Sequence, residues 1–580
     1  MPATPNSSTN WWTFHRDPAH SGNANGSKIT SENVGKSLKL VRTVALRGSV
    51  MSTPAIVDGY VYVGTANSHD AVGANGGSFF KINLETGDLK QFTWNISRPE
   101  GDAHGFTGMG CTPTIAGGKI YFSAFNGKVY CLDQETLAPV WITDLRYSDP
   151  LHNQPVTNVL GADAAPQVEG WCSPLVVNGK VYVGIGEGEN PSAYSFIYCL
   201  DAQSGDVIWI FCVCKFQDGQ ENKPNVLPEE VVNVGALPKP FSVFNGLPLV
   251  TGCSVWAAIA YDERLNRLYC STGNPQPDAP LPLAAAQPIS PPPPTPQGYS
   301  YGILALDASS GAFKGFRQFP PGSSYRPSDT DIDVGGSATL FTRQGKRVLG
   351  IGCKNGAYMI LDADTLEVIT WRQMLPYYNN GSWIPTVDPH GDDVASNPNP
   401  RRTNEESNAT PPANDPNYTT ENYSGTYSTA AVDPSSGRLF IGIGGNNYHF
   451  IASGIDYTTT PFLRALDWNT LKDAWPTDSN DPPRYAKAMP PMYTTAAESG
   501  ISVPAVVNDV VFMATTKVSL YAFAVKDGTL LWQDDLGMPT QGYCGGYGYC
   551  MGPAIWRDYV VAGALVFGRD GGLLNIYKLQ

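Results

Sequence analysis

The sequence predicts an all-β protein, an eight-bladed β-propeller of four-stranded antiparallel blades closed by pairing of its N- and C-terminal strands. Three observations predict this fold class. A strand–turn–strand pattern recurs seven times, a second hairpin pattern precedes each copy, and an incomplete eighth unit ends the chain. Self-similarity at a fixed period is typical of repeat architectures, so the 580 residues are expected to form one propeller domain.

The first repeated pattern is an apolar strand, usually an Asp, a tight turn, and a second strand that carries an aromatic residue. Its seven copies are KINLETGDLKQFTW, YCLDQETLAPVWITD, YCLDAQSGDVIWIF, LALDASSGAFKGFRQF, MILDADTLEVITWRQM, RALDWNTLKDAWPTD and YAFAVKDGTLLWQDD. A turn Gly or Leu lies four residues before each of Trp141, Trp209, Trp475 and Trp532. We expect these aromatic side chains to pack between blades, and we assign them no catalytic role.

The second pattern is an apolar strand, a Gly, Asp or Asn turn, and another apolar strand, which is the signature of a β-hairpin. Examples are STPAIVDGYVYVGT, CTPTIAGGKIYFSA, CSPLVVNGKVYVGI, SVWAAIAYDERLNRLYCST, TYSTAAVDPSSGRLFIGI and SVPAVVNDVVFMAT. Together the two patterns give four short strands per unit, which is a propeller blade.

The eighth unit, GPAIWRDYVVAGALVFGRDGGLLNIYKLQ, ends after its third strand. The missing outer strand is available at the other end of the chain, in LKLVRTVALR, residues Leu38 to Arg47. Pairing the two termini in one blade would remove a free sheet edge. We therefore expect a single propeller domain over residues 38–580 and an N-terminal extension, residues 1–37, that packs on it.

Three regions are longer than a blade requires: 213–250, 275–299 and 375–424. The segment LPLAAAQPISPPPPTP within the second is too rich in proline for regular secondary structure. These regions are expected to be loops. Loops on a rigid scaffold commonly carry specificity, and solvated decoration is an equally good interpretation.

Composition excludes some classes of partner and prosthetic group. A net charge of −14 and a pI near 5.0 argue against nucleic acid or an anionic membrane as a partner. No apolar run reaches transmembrane length. The 11 cysteines form no CxxC or CxxCH motif, which argues against a zinc ribbon and covalent haem, whereas Cys544 and Cys550 are a candidate disulfide pair.

The start MPATPNSSTNWW contains no signal peptide, so either the protein stays in the cytosol or a targeting segment is missing from this chain. Only 16% of residues are charged, while Gly, Pro and Tyr are abundant. That balance is more typical of an exported protein, and we expect a periplasmic or extracellular location.

Candidate site residues are polar or aromatic side chains at the points where inner strands break. Each alone fits ordinary turn chemistry, in which Asn and Asp bond to their own backbone. In a propeller, however, the inner strands converge on one axis, so residues distant in sequence can meet there. The candidates are Glu187, Glu189, Trp256, Asn274, Asp329, Asp331, Asp333 and Lys354.

One stretch, SVWAAIAYDERLNRLYCSTGNPQP, resembles a segment of the pyrroloquinoline quinone (PQQ) dependent alcohol dehydrogenases. In that family a tryptophan lies under the quinone, and the asparagine of a Thr-Gly-Asn-Pro motif 18 residues later binds the metal. The same interval separates Trp256 from Asn274. The resemblance therefore implies a cofactor-binding role for Trp256 and a metal-binding role for Asn274.

Three further segments resemble the same family, in family order. VYVGIGEGE resembles the strand before the metal-binding glutamate, and the register from Gly184 favours Glu189 over Glu187. DTDIDVGGSATLF resembles the aspartate segment, especially in polyvinyl alcohol dehydrogenase-like members, which aligns Asp333 with the catalytic base and a metal ligand. The KNG turn matches the one whose cation contacts the quinone's reactive carbonyl, which implies cofactor-binding roles for Lys354 and Asn355.

The resemblance implies oxidation of an alcohol by hydride transfer to C5 of PQQ, assisted by Ca²⁺ and by Asp333 as the base. Calcium prefers oxygen ligands such as carboxylates and amides. Gly335 stands where lanthanide-using members have an additional aspartate, so calcium is expected rather than a lanthanide. The substrate would be a small or polymeric alcohol. Without CxxCH the electron acceptor must be external, such as a separate cytochrome c.

The chain departs from the family pattern at two places. The adjacent cysteine pair of many members is absent, with Cys111 alone in that region, and Met51 stands where many relatives have a cofactor-contacting glutamate. PQQ affinity and substrate class therefore stay open. The alternatives are a non-enzymatic propeller that acts as a binding or assembly scaffold, like the outer-membrane assembly lipoprotein with this repeat, and an enzyme with another cofactor or none.

An EF-hand interpretation of DTDID fails on two positions. Val334 occupies the sixth position of that loop, where glycine is needed, and Leu340 the twelfth, where glutamate is needed.

Overall fold

The computed structural model describes most of each predicted blade. The described residues are 8–67, 77–93, 107–145, 169–186, 195–213, 251–273, 275–276, 299, 302–318, 334–353, 357–373, 377–379, 382–384, 428–443, 463–475, 502–515, 519–535, 552–564 and 571–580. Within this part, α1 (Val34–Ser37) is a single helical turn and all longer regular elements are strands.

Eight sheets form the blades, which confirms the predicted propeller, and blades 1 to 4 come first along the chain. Blade 1 contains β3 (Ala55–Val57), β4 (Tyr60–Gly64), β6 (Ser78–Asn83) and β7 (Leu89–Thr93). Blade 2 contains β9 (Thr114–Ala116), β10 (Lys119–Ser123), β11 (Lys128–Asp133) and β12 (Pro139–Asp144). Blade 3 contains β13 (Leu175–Val177), β14 (Lys180–Ile185), β15 (Phe196–Asp201) and β16 (Val207–Cys212). Blade 4 contains β18 (Ala260–Asp262), β19 (Arg267–Ser271), β21 (Gly302–Asp307) and β22 (Phe313–Gln318).

Blades 5 to 8 follow the same plan. Blade 5 contains β23 (Thr339–Arg343), β24 (Lys346–Gly352), β25 (Ala357–Asp362) and β26 (Val368–Gln373). Blade 6 contains β29 (Ala431–Asp433), β30 (Arg438–Gly442) and β31 (Leu463–Asp467). Blade 7 contains β32 (Ala505–Val507), β33 (Val510–Ala514), β34 (Ser519–Ala524) and β35 (Leu530–Asp535). Blade 8 contains β36 (Ala554–Trp556), β37 (Tyr559–Ala564), β38 (Gly571–Leu579) and β2 (Leu38–Arg47).

Four short pairs lie outside the blades or extend them. β5 (Ala66–Asn67) pairs with β8 (Thr107–Gly108), and β17 (Thr251–Gly252) pairs with β20 (Pro275–Gln276). β27 (Tyr377–Asn379) pairs with β28 (Ser382–Ile384), and β1 (Asn23–Ala24) pairs with β32. Pairs β17–β20 and β27–β28 touch all three regions expected to be loops: β17 follows residues 213–250, β20 lies within 275–299, and β27 and β28 lie within 375–424. Most of these three regions falls outside the described residues.

The termini close the ring as predicted. β2 pairs antiparallel with β38 from Leu38 opposite Leu579 to Arg47 opposite Gly571. The first strands of neighbouring blades contact one another around the axis, including β36 of blade 8 with β3 of blade 1. Closure leaves no open side edge between blades 8 and 1.

Two blades differ from the predicted four antiparallel strands. In blade 6 the described fourth strand is reduced to one bridge between Leu466 and Asp473, whose carboxylate accepts a hydrogen bond from Arg372 at 2.7 Å. Blade 7 gains β1 as a fifth strand, and β1 runs parallel to β32. The extra strand comes from the N-terminal extension.

The recurring aromatic residues pack between blades, which confirms that prediction. A Cβ on Gly205, at the turn of blade 3, would lie 2.6 Å from the Trp141 ring of blade 2. Gly528 of blade 7 stands in the same relation to Trp475 of blade 6, at 2.7 Å. The indole of Trp475 also donates to the Val525 carbonyl at 2.9 Å. Glycine at these turns is required by both the close ring and the positive φ.

An N-terminal stretch, residues 11–24, lies along the inner strands, and we call it the hub segment. Its carbonyls accept hydrogen bonds of 2.6–2.8 Å from the amide of the second residue in six first strands: Ile56, Ile115, Tyr261, Leu340, Val432 and Val506. These amides would otherwise be the unpaired inner edge of each blade. The hub segment therefore joins blades 1, 2, 4, 5, 6 and 7.

In the described part of the chain, no helix is long and apolar enough to cross a membrane. The candidate pair Cys544 and Cys550 lies outside the described residues.

Candidate functional site

The described segments that carry or flank the predicted site residues lie at the end of the propeller where the first strand of each blade begins and its second strand ends. Of the predicted residues, Trp256 is described, whereas Glu189, Asn274, Asp333, Lys354 and Asn355 lie outside the described residues, as do Glu187, Asp329 and Asp331. The described segments next to these residues are located as follows.

The blade 4 segments on either side of the site are bonded to each other. The amide of Gly273 donates to the Ser254 carbonyl at 2.9 Å, and Pro275 pairs with Gly252. Gly273 and Pro275 are the sequence neighbours of Asn274, and Ser254 lies two residues before Trp256. The structure therefore brings together the segments that carry Trp256 and flank Asn274.

Blade 3 contacts the Trp256 loop at Gly184. A Cβ on Gly184, at the end of β14, would lie 2.3 Å from the carbonyl oxygen of Val255, the residue before Trp256. Real Cβ contacts are never so short, so this close approach requires glycine. The strand that leads towards Glu189 thus packs directly on the backbone of the Trp256 loop.

Blade 5 joins blade 4 through a buried hydroxyl. Ser271 Oγ, at the end of β19, donates to the Gly336 carbonyl at 2.7 Å. Gly336 lies three residues after Asp333, and Val334 between them is buried. The described part of the segment that follows Asp333 is therefore held against blade 4.

Trp256 is half-buried and packs against a large apolar cluster that includes Phe125, Trp171 and Met51. The Phe125 and Trp171 rings meet edge to face, with centroids 4.4 Å apart. Both residues lie at the same end of the propeller, after β10 and before β13. The mouth of the axis is therefore lined with aromatic carbon on the side of blades 2 to 4.

Sequence reasoning missed a buried acid in this mouth, Glu169. Its side chain is 4% exposed, and its Oε2 accepts a hydrogen bond from Trp171 Nε1 at 2.5 Å. A buried carboxylate requires such partners. The signal was present in VEGWCSP, where an acid and a tryptophan precede the first strand of blade 3.

The thiols of Cys111 and Cys172, near the mouth, are expected to be unreactive. Burial raises the pKa of Cys111 to about 11 and that of Cys172 to about 12. Both are free and fully buried, and Cys111 donates to the Ser123 carbonyl at 3.2 Å. A thiol in this state is a poor nucleophile and metal ligand, so these cysteines act as small apolar side chains.

The described residues fit a flat conjugated group. Trp256 is a partly buried aromatic residue, and it packs against the cluster that contains the Trp171 and Phe125 rings. No group of three or more His, Cys, Asp or Glu side chains suited to a metal occurs among the described residues, and all three predicted ligands lie outside them.

Comparisons with known proteins agree with this architecture. A family model described as outer membrane protein assembly factor BamB matches residues 39–211. The dehydrogenase subunit of a quinone alcohol dehydrogenase from Gluconacetobacter polyoxogenes is 24% identical over 412 residues, which cover 66% of this chain and 47% of that protein. A quinohemoprotein alcohol dehydrogenase from Comamonas testosteroni is 25% identical over 399 residues, or 66% of this chain and 48% of that protein. The chain thus spans about half the length of these relatives.

Two solved structures share the fold. The crystal structure of the Comamonas testosteroni quinohemoprotein alcohol dehydrogenase covers 98% of this chain and 80% of its own, with a TM-score of 0.62 and 18% identity. A europium-containing methanol dehydrogenase covers 99% of both chains, with a TM-score of 0.63 and 16% identity.

The fold is the eight-bladed propeller seen in these quinoprotein dehydrogenase structures. Over about two thirds of its length, the chain is similar in sequence to PQQ-dependent alcohol dehydrogenases.

Proposed function

We propose that this protein oxidises an alcohol with PQQ as the hydride acceptor and Ca²⁺ as the metal. The observation that carries the proposal is the bonding within blade 4, where Ser254 accepts from Gly273 and Gly252 pairs with Pro275. These contacts keep the Trp256 loop beside the two sequence neighbours of Asn274. The proposal requires that Trp256 and Asn274, which are 18 residues apart in sequence, lie near one bound group, and these contacts support that arrangement.

Oxygen atoms of Glu189, Asn274 and Asp333 would hold the metal, because calcium prefers carboxylate and amide oxygens. A lanthanide favours an additional carboxylate, and Gly335 supplies none. The half-buried ring of Trp256 would support the flat face of the quinone.

When bound, PQQ supplies the electrophilic C5 carbon that accepts the hydride, and the protein supplies position and charge. The Lys354 ammonium, with Asn355 beside it, would orient and polarise the carbonyl oxygen. Asp333 would remove the hydroxyl proton from the substrate as the hydride leaves, which requires a carboxylate within hydrogen-bond reach. Electrons would pass to an external acceptor, such as a separate cytochrome c.

The other features of the proposal follow from the sequence. The substrate is a small or polymeric alcohol, and the protein is periplasmic or extracellular. The catalytic unit is the propeller of residues 38–580, with residues 1–37 as an extension packed on it.

The deciding experiment adds PQQ and Ca²⁺ to the purified protein and follows alcohol-dependent dye reduction. We expect Asp333→Asn to lower the rate by about 10²–10⁴, the usual contribution of a general base. Asp201→Asn, at the outer turn of blade 3, is the matched control and should leave the rate unchanged. Failure of the wild type to bind PQQ or to oxidise any of a broad alcohol panel would contradict the proposal and favour a non-enzymatic assembly scaffold.

A further inference from the structure

The hub segment lies between the candidate site and the hairpin turns at the opposite end of the inner strands. Its flanking residues bond to those turns, with Asn10 donating to Asp58 at 3.2 Å and the Lys28 amide donating to Asp558 at 2.8 Å. Its Phe14 faces the other way and forms one buried cluster with Ala258 and Val503, which precede the first strands of blades 4 and 7. The hub segment is therefore the floor of the axial site.

Three consecutive hub residues, Pro18 to His20, form hydrogen bonds to blades 4 and 5, whose first strands follow Trp256 and Asp333 in the chain. The Pro18 carbonyl accepts from the Tyr261 amide of blade 4, and the Ala19 carbonyl accepts from the Leu340 amide of blade 5, both at 2.8 Å. His20 then donates from Nδ1 to the Ala338 carbonyl at 2.9 Å. Because a carbonyl can only accept, this ring nitrogen must carry a hydrogen.

These contacts lie close to the predicted site residues in sequence. Ala258, which Phe14 contacts, is two residues after Trp256, and Ala338 is five residues after Asp333. Phe14 and His20 also touch each other, with ring centroids 5.0 Å apart in an edge-to-face arrangement. A single aromatic pair therefore spans the distance between the loop that carries Trp256 and the segment that follows Asp333.

The backbone around His20 has an unusual conformation that orients this side chain. His20 has φ +56, in the left-handed region that non-glycine residues seldom occupy. Gly22 has φ +58, and a Cβ there would lie 2.2 Å from His15 Nε2. His15 in turn contacts the His20 carbonyl at 2.9 Å and the Pro504 carbonyl at 2.8 Å. A neutral imidazole carries one N–H, so His15 donates to one of these two carbonyls, and the absence of a Cβ on Gly22 leaves room for the His15 ring.

We propose that Phe14 and His20 are positioning residues of the active site. Through their contacts with Ala258 and Ala338 they hold the Trp256 loop next to residues 334–340, which follow Asp333. The proposal rests on the proposed function for its catalytic consequence. Its structural part concerns the described residues 254–262 and 334–340 alone. Neither side chain is expected to touch substrate or cofactor.

The test uses amide hydrogen exchange in the cofactor-free full chain, so it does not depend on activity. Phe14→Leu should speed exchange in residues 254–262 at least tenfold, and His20→Ala should do the same in residues 334–340. His20→Asn should restore slow exchange, because Asn places an amide donor near the Nδ1 position and tolerates a left-handed φ. Asn23→Ala is the matched control: Asn23 donates to the Val432 carbonyl of blade 6 at 2.9 Å, so only exchange near residues 428–433 should rise.

With PQQ and Ca²⁺ added, His20→Ala should lower kcat about tenfold with little change in KM, and Asn23→Ala should leave both unchanged. Equal exchange in wild type, Phe14→Leu and His20→Ala would overturn the proposal, as would equal loss of kcat in His20→Ala and His20→Asn. If exchange follows the expected pattern but the protein has no quinone-dependent activity, the proposed function is refuted and the structural role of Phe14 and His20 is retained. Should His20→Ala fail to fold, Phe14→Leu decides: wild-type exchange in residues 254–262 of that variant would overturn the proposal.

Discussion

The outer hairpins and the axis of this propeller are held by opposite kinds of contact. At the outer turns an Asp accepts two backbone hydrogen bonds from residues two and three positions later, as Asp201 does from Gln203 at 2.8 Å and Ser204 at 3.0 Å. At the axis, His15 and His20 bond to carbonyls 489 and 318 residues away. In the described residues, local contacts recur from blade to blade, whereas the long-range contacts at the axis differ between blades.

The two regions also differ in charge. Hydrogen bonds from Thr136 hold the pKa of the exposed outer carboxylate Asp133 below its usual value. Burial lowers the pKa of His20 to about 3, and burial lowers that of His15 as well. The folded state therefore favours the charged form of this outer aspartate and the neutral form of the two axial histidines.

The largest expected effect follows from His20. Its folded pKa lies below its unfolded value of 6.5, so the unfolded chain binds the proton first and stability falls as pH drops from 6.5 towards 3. Between pH 6.5 and pH 5 the loss should be about 2 kcal/mol. Urea unfolding at both pH values measures it.

His20→Asn should reduce this dependence and leave the part due to His15, whereas Asp133→Asn should not change it, because Asp133 titrates below this window. A wild-type stability that is constant from pH 6.5 to pH 5 would contradict the contrast between a neutral axis and charged outer turns.

A second, smaller effect compares two glycines of one blade. Gly184→Ala forces a Cβ against the Val255 carbonyl and should cost about 1–3 kcal/mol, as overpacking does. It should also move the Trp256 loop and weaken PQQ binding about tenfold, since 1.4 kcal/mol corresponds to that factor. Thermal unfolding and quinone titration measure the two effects.

Gly179→Ala is the control in the same hairpin. Gly179 has φ +74 and open space around it, so its substitution should cost about 1 kcal/mol through backbone strain without any change in PQQ binding. If both variants bind PQQ equally well, the contact between Gly184 and Val255 does not position the Trp256 loop.

The smallest effect is expected at an outer turn. Asp201→Ala removes two hydrogen bonds to the turn backbone and should lower stability by about 1 kcal/mol. Thermal unfolding measures this loss, and the rate of alcohol oxidation should stay that of the wild type. A loss of rate here would mean that the outer hairpins and the axis are not independent.

The same contrast explains what could be predicted from the sequence. The hairpins, the turn aspartates and the closing strand Leu38–Arg47 were predicted because their contacts are local or periodic and therefore leave a repeated pattern. The packing of Trp141 and Trp475 was predicted for the same reason.

The hub segment was not predicted beyond an extension that packs on the propeller. Its partners are backbone amides such as those of Ile56 and Leu340, and a backbone partner leaves no residue pattern to recognise. Glu169 was missed because its role depends on burial beside Trp171, which periodicity does not report. The predicted ligands Glu189, Asn274 and Asp333 stay predictions, since only their flanking segments are described.

The closing blade has a consequence for the order of folding. Residues 38–47 are synthesised long before residues 571–579, their antiparallel partners, and the hub segment likewise precedes the blades that it joins. β2 cannot reach its final hydrogen bonds until β38 is complete, whereas the hub segment can bond to each of its blades once that blade is made. Pairings at such separation form slowly, so the nascent chain carries an unsatisfied edge strand throughout synthesis and depends on rapid ring closure to avoid intermolecular pairing.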